Sequence, residues 1–65
     1  MKILLNKIRR EKGITLEKLA GLSGISKSTL NNFENGRTSP NMNQMERIAE
    51  VLNVRIEELY ESKLK

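Results

Sequence analysis

Residues 16–35 read LEKLAGLSGISKSTLNNFEN, two helical segments joined by a turn, and each position with a steric demand holds a residue that meets it. Ala20 is small enough for a second helix to cross closely over the first. Gly24 falls in the turn, where the backbone needs a positive φ that costs a residue with a Cβ about 1 kcal/mol or more. Ile25, Leu30 and Phe33 supply the apolar plugs from the turn and the second segment. Ser26, Lys27, Ser28, Asn31 and Asn32 are left on the outward face, and all are types that reach phosphates or base edges. One such position would carry little weight; the whole set in register carries a great deal.

Outside this stretch the apolar residues recur at helical spacing and no segment sustains strand alternation. A first helix is predicted over 2–12, with Leu5 and Ile8 inward and Gly13 closing it. Thr15 is placed to cap a second helix over 16–22, and Ser26 a third over 27–35 ended by Gly36. Asn41 with Gln44 resembles a capping box and opens a fourth helix over 42–52, with Met45, Ile48, Ala49 and Leu52 on one face. Asn53 takes the position after it, and a short fifth helix is predicted over 56–60. Repeats, low-complexity tracts and interdomain linkers are lacking. The reading is a compact all-α bundle of five helices, one domain over 1–65.

Composition narrows the chemistry. At 65 residues, only about 60% of the extended-chain surface can be buried, so the core must be efficiently used. Cysteine and histidine are absent, which removes disulfides, thiolate zinc sites and histidine-based catalysis. No metal site, cofactor or enzymatic activity is expected. The carboxylates lie mostly at helical-surface spacing beside Lys and Arg. No apolar run approaches the about 18 residues of a membrane span, and residues 1–5 are too short for a secretory signal. The expected compartment is the cytoplasm, on the nucleoid. The net charge is +4, and it is unevenly placed. Residues 1–40 hold eight Lys/Arg against three Asp/Glu, residues 41–65 four against five. The basic half contains the two-helix unit, as a polyanion-facing surface would require, although a solvated surface with chance asymmetry has the same composition.

Taken together, residues 5–60 resemble the phage lambda repressor/Cro-type (XRE-type) helix-turn-helix domain. The matching landmarks are Arg9, Gly13, Leu19-Ala20, Gly24-Ile25-Ser26, Ser28-Thr29-Leu30, Pro40, Ile48-Ala49, Leu52 and Ile56 to Leu59. The run Phe33-Glu34-Asn35-Gly36-Arg37 is particularly specific. The resemblance implies sequence-specific binding of double-stranded DNA by a small transcriptional regulator, a repressor in preference to an activator. The third helix would enter the major groove, about 12 Å wide. Lys27, Ser28 and Asn32 fall on the family's base-reading positions, with Asn31 beside them in the base-contact group. Lys27 suits guanine O6 or N7, and Asn32 suits adenine N6 and N7. Ser26, at the helix start, suits a phosphate, and Asn35 and Arg37 match the family's phosphate-clamping positions.

Two departures stand out. Leu16 occupies the place of a glutamine that normally touches phosphate and braces the reading helix, leaving that contact to Lys18 or a backbone N–H. Arg55 stands where serine or threonine would cap the fifth helix, which should therefore be the least stable by about 1 kcal/mol.

Two tertiary contacts are also implied. Arg9 and Glu34, charged residues beside Ile8 and Phe33, should form a partly buried ion pair. Val54, Ile56, Leu59 and Tyr60 should form a homodimer contact, because one domain of this size reads too few base pairs to select a genomic site. Ile3 or Leu4, Leu22, Tyr60 and Leu64 are surplus apolar residues, fit either for self-association or for packing of chain ends onto their own domain. The rival function is an antitoxin-type regulator in which binding a protein partner is primary.

Overall fold

In a computed structural model, which describes residues 2–62, four α-helices and one turn of 3-10 helix enclose a single core. A two-residue strand β1 (Lys2–Ile3) leads into α1 (Leu5–Glu11), α2 (Leu16–Ser23), α3 (Lys27–Glu34) and α4 (Met42–Leu52). The 3-10 helix (Ile56–Leu59) and a second strand β2 (Tyr60–Glu61) complete the order.

The helix starts follow from local hydrogen bonds. Thr15 Oγ1 accepts from the Lys18 N–H at 3.1 Å, satisfying one of the orphan donors of α2. Asn41 and Gln44 form a complete capping box on α4, each side chain accepting from the other's backbone N–H at 2.8 and 2.9 Å. The turn between α2 and α3 is closed by Gly24 at φ +76°, whose N–H donates to the Ala20 carbonyl at 3.0 Å. Asn53 closes α4 in the same left-handed region, at φ 57° and ψ 47°.

The expected five-helix, all-α architecture is corrected at both chain ends. Residues 56–59 form a 3-10 turn, not an α-helix, and residues 2 and 3 are strand, not helix. The cause is long-range pairing. β1 and β2 run antiparallel with Lys2 opposite Glu61 and Ile3 opposite Tyr60, and the Leu4 N–H donates to the Leu59 carbonyl at 2.8 Å. Tyr60 is extended (φ −145°, ψ 159°), which leaves four residues between Arg55 and the ladder, too few for an α-helix to propagate. Arg55 supplies no side-chain cap; Glu58 Oε2 instead accepts from the Arg55 N–H at 3.0 Å.

The core comprises Leu5, Leu19, Ile25, Leu30, Phe33, Met45, Ile48, Ala49, Leu52 and Leu59. Every element except the strands contributes to it, and Ile3 and Tyr60 pack on it from the strand pair. Full burial of a leucine or isoleucine stabilises by about 1.5–3 kcal/mol, and six of these ten side chains are almost wholly shielded. Among the described residues, no helix is long and apolar enough to cross a membrane.

Candidate nucleic-acid interface

Helix α3 is amphipathic in a way that fixes which side faces out. Leu30 and Phe33 are buried, while Lys27, Ser28 and Asn31 are exposed and Asn32 is half-buried at the margin. The inward pair seats the helix on the core and thereby sets the direction of the outward set. Ser26 caps it: its Oγ accepts from the Thr29 N–H at 3.2 Å and donates to Thr29 Oγ1 at 2.8 Å. The Ser26 hydroxyl is thus engaged in capping, and an anion at this end would meet chiefly the first N–H groups of the helix.

The far end of α3 is held by charge. Arg9 on α1 donates from Nε to Glu34 Oε2 at 2.7 Å and from Nη2 to Glu34 Oε1 at 3.3 Å. Arg9 Nη1 donates to the Ile14 carbonyl at 2.8 Å, and Asn6 Nδ2 donates to Glu34 Oε1 at 3.0 Å. The two charged side chains are 14% and 6% exposed, so this ion pair is largely withdrawn from water. Asn6 lies three residues before Arg9 on the same face of α1, where one carboxylate can be shared, and that spacing is its only signal in the sequence.

Beyond α3 the chain turns at Gly36, and the Arg37 N–H donates to the Asn32 carbonyl at 2.9 Å. Asn35, Arg37 and Lys18 are all exposed, Arg37 in the loop past the helix end and Lys18 in the first turn of α2. A shallow groove of about 330 Å³ runs from Lys2 and Ile3 along Asn35, Gly36, Thr38 and Ser39, bringing Lys2 beside this loop. Sequence position alone gave no sign of it, because the β1–β2 ladder carries Lys2 there.

A second ion pair lies on the outward surface itself. Lys27 Nζ sits 2.9 Å from Glu17 Oε2, linking the first turn of α3 to the first turn of α2. The Lys27 hydrogen bond, with Glu17's own backbone N–H and the nearby positive charge, holds the Glu17 carboxyl below its usual range. Glu17 and Lys27 lie ten positions apart in the sequence, beyond any local spacing rule that would mark Glu17 out.

The residues expected at a dimer contact divide. Val54, Ile56 and Tyr60 are partly exposed, but Leu59 is 1% exposed and belongs to the protein's own core. The correction has a simple cause: the 3-10 turn places Leu59 inward, between α4 and the strand pair. Ile3 and Tyr60 face each other in the ladder and pack in part on their own domain, each keeping some exposed surface. Leu22 is 59% exposed, and Leu64 lies outside the described residues.

A helix-turn-helix family model matches residues 5–59. The transcriptional regulator SinR of Bacillus subtilis is 38% identical over 56 residues, which is 85% of this chain and 50% of SinR. The chain spans about half the length of two of the curated relatives it matches, SinR among them. The solved N-terminal DNA-binding domain of SinR superposes with a TM-score of 0.80 at 31% identity, covering 94% of this chain and 90% of that domain. The restriction-modification controller protein C.AhdI of Aeromonas hydrophila superposes with a TM-score of 0.82 at 30% identity, covering 86% and 85%.

Proposed function

The chain belongs to the helix-turn-helix family, and from that premise we propose that it binds double-stranded DNA in a sequence-specific way and regulates transcription, as a repressor. The observation that carries this is the outward face of α3. Lys27, Ser28, Asn31 and Asn32 project from a helix whose other face is locked by Leu30, Phe33 and the Arg9–Glu34 pair. Such a helix presents directional donors and acceptors at a fixed angle, which is what reading base edges in the major groove demands. Lys27 would donate to guanine and Asn32 bond adenine in bidentate fashion, with Ser28 and Asn31 on adjoining edges. Arg37, Asn35, Lys18 and the Ser26 end of α3 would grip phosphates and set the register.

The unit that binds would be a two-fold homodimer, built through Val54, Ile56 and Tyr60 at the α4 end. These three fall within one seven-residue stretch and each is only partly buried, and two copies double the number of base pairs read. Half-sites would lie about 10–10.5 base pairs apart. Selection of bound sequences from a random duplex pool tests the whole reading. The expected result is an enriched, two-fold symmetric site whose footprint spans two adjacent major-groove segments. A pool that stays random after repeated rounds would refute the function, and an asymmetric single half-site would refute the dimer.

A further inference from the structure

We propose that Glu17 is a specificity-determining residue of the DNA interface, holding Lys27 in its base-reading position and withholding that cation from phosphates. The proposal rests on the DNA-binding reading and adds to it a residue that touches no base. Its starting point is the 2.9 Å bridge between Glu17 Oε2 and Lys27 Nζ, which spans the first turns of two helices on the outward surface. The side chains are 68% and 57% exposed, and an ion pair so accessible to water contributes little to folding. α3 is already secured by Leu30, Phe33 and the Arg9–Glu34 pair, so stability does not call for a second clamp here. A carboxylate beside the cation that begins the reading helix also opposes a polyanion, which makes it a liability for simple affinity.

Its use is discrimination. Lysine carries a compact charge on a flexible four-carbon stem, and left alone at a groove wall it pairs with whichever phosphate is nearest. The Glu17 carboxylate takes one of the three ammonium donors and leaves two, matching the adjacent acceptors O6 and N7 of guanine. It also biases the stem toward the base-facing direction before DNA arrives, so a good base contact costs somewhat less ordering. The same negative charge repels phosphates and lowers binding to duplexes that lack the right base. The carboxyl, held below its usual range by Lys27, stays ionised at neutral pH.

Glu17→Gln, Lys27→Ala and the double variant, measured on the selected duplex, on its guanine-substituted versions and on random duplex, test the proposal. In E17Q the freed lysine takes a phosphate. Random-duplex affinity should then rise severalfold, and its log–log salt slope should steepen by about 0.9. Preference for guanine at one position per half-site should fall at least about 5-fold, the lower end of what a good base contact provides. With Lys27 already replaced by alanine, adding E17Q should change guanine preference less than about 2-fold, because the carboxylate then has no cation to hold. Melting temperatures should be unchanged throughout. If wild-type protein selects a sequence but E17Q keeps both its guanine preference and its random-duplex affinity, the proposal fails alone. The same holds if E17Q acts equally with and without Lys27. If the wild-type chain selects no sequence, the DNA reading fails and this proposal falls with it.

Discussion

Truncating Glu34 to alanine isolates the interaction that anchors the reading helix to α1. Arg9 would lose the acceptors of Nε and Nη2, at 2.7 and 3.3 Å, and keep only its Nη1 bond to the Ile14 carbonyl at 2.8 Å. Asn6 would lose its acceptor too, but it is exposed and water replaces the bond. The cost therefore falls on a guanidinium left unpaired at 14% exposure. Breaking a fully buried pair costs about 3–5 kcal/mol; partial access of water to Arg9 brings the expectation to about 2–3 kcal/mol. A domain of this length has a total stability of about 3–10 kcal/mol, so the loss is a large fraction. It corresponds to a fall in melting temperature of about 10–20 °C, followed by circular dichroism at neutral pH. The double substitution Arg9→Met with Glu34→Leu removes both charges and fills the space with apolar groups, and it should melt above E34A, since no charge is then stranded. An E34A protein melting within about 2 °C of wild type would refute the argument, because that shift is less than 1 kcal/mol for a domain of this size. A double variant no more stable than E34A would show that lost packing, not the unpaired arginine, sets the cost.

Reading and gripping should separate on one surface. Lys27→Ala or Asn32→Ala should cost about 1–3 kcal/mol on the selected site and relax one base position, whereas Arg37→Ala should weaken all duplexes alike and flatten the salt slope by about 0.9; an Arg37 variant that alters base preference contradicts the assignment. Gly24→Ala should destabilise by about 1 kcal/mol in chemical denaturation through backbone conformation alone, since the added Cβ at φ +76° would meet nothing closer than Arg47 Nη1 at 3.9 Å. Lys27→Ala should raise the titration midpoint of Glu17, followed by NMR of its carboxyl carbon, because its largest depressing cause is gone. Glu17's folded value is lowered, so its contribution is present above the unfolded value and lost as pH falls through the folded one; an unmoved midpoint would mean the pair does not persist in solution.

What the amino-acid order determined by itself is local. The caps at Thr15, Ser26 and Asn41, the left-handed positions at Gly24 and Asn53, and the one-turn spacing of Met45, Ile48, Ala49 and Leu52 each involve residues a few positions apart. Backbone sterics and one hydrogen bond settle such features wherever the chain goes. The outward face of α3 belongs with them, because once Leu30 and Phe33 are inward, helical geometry sends Lys27, Ser28 and Asn31 out. Arg9 and Glu34, 25 residues apart, were legible through the family resemblance and through the oddity of two charges beside the inward Ile8 and Phe33. Tertiary structure decided the rest. Strands β1 and β2 pair residues nearly the whole chain apart, and two-residue strands leave no alternation to detect. That pairing ended the last element as a 3-10 turn, turned Leu59 into the core and carried Lys2 toward the loop after α3. The Glu17–Lys27 bridge has the same origin: it exists because two helices cross at a tight turn, and crossing geometry follows from how Ala20, Ile25 and Leu30 pack, not from the spacing of two charges.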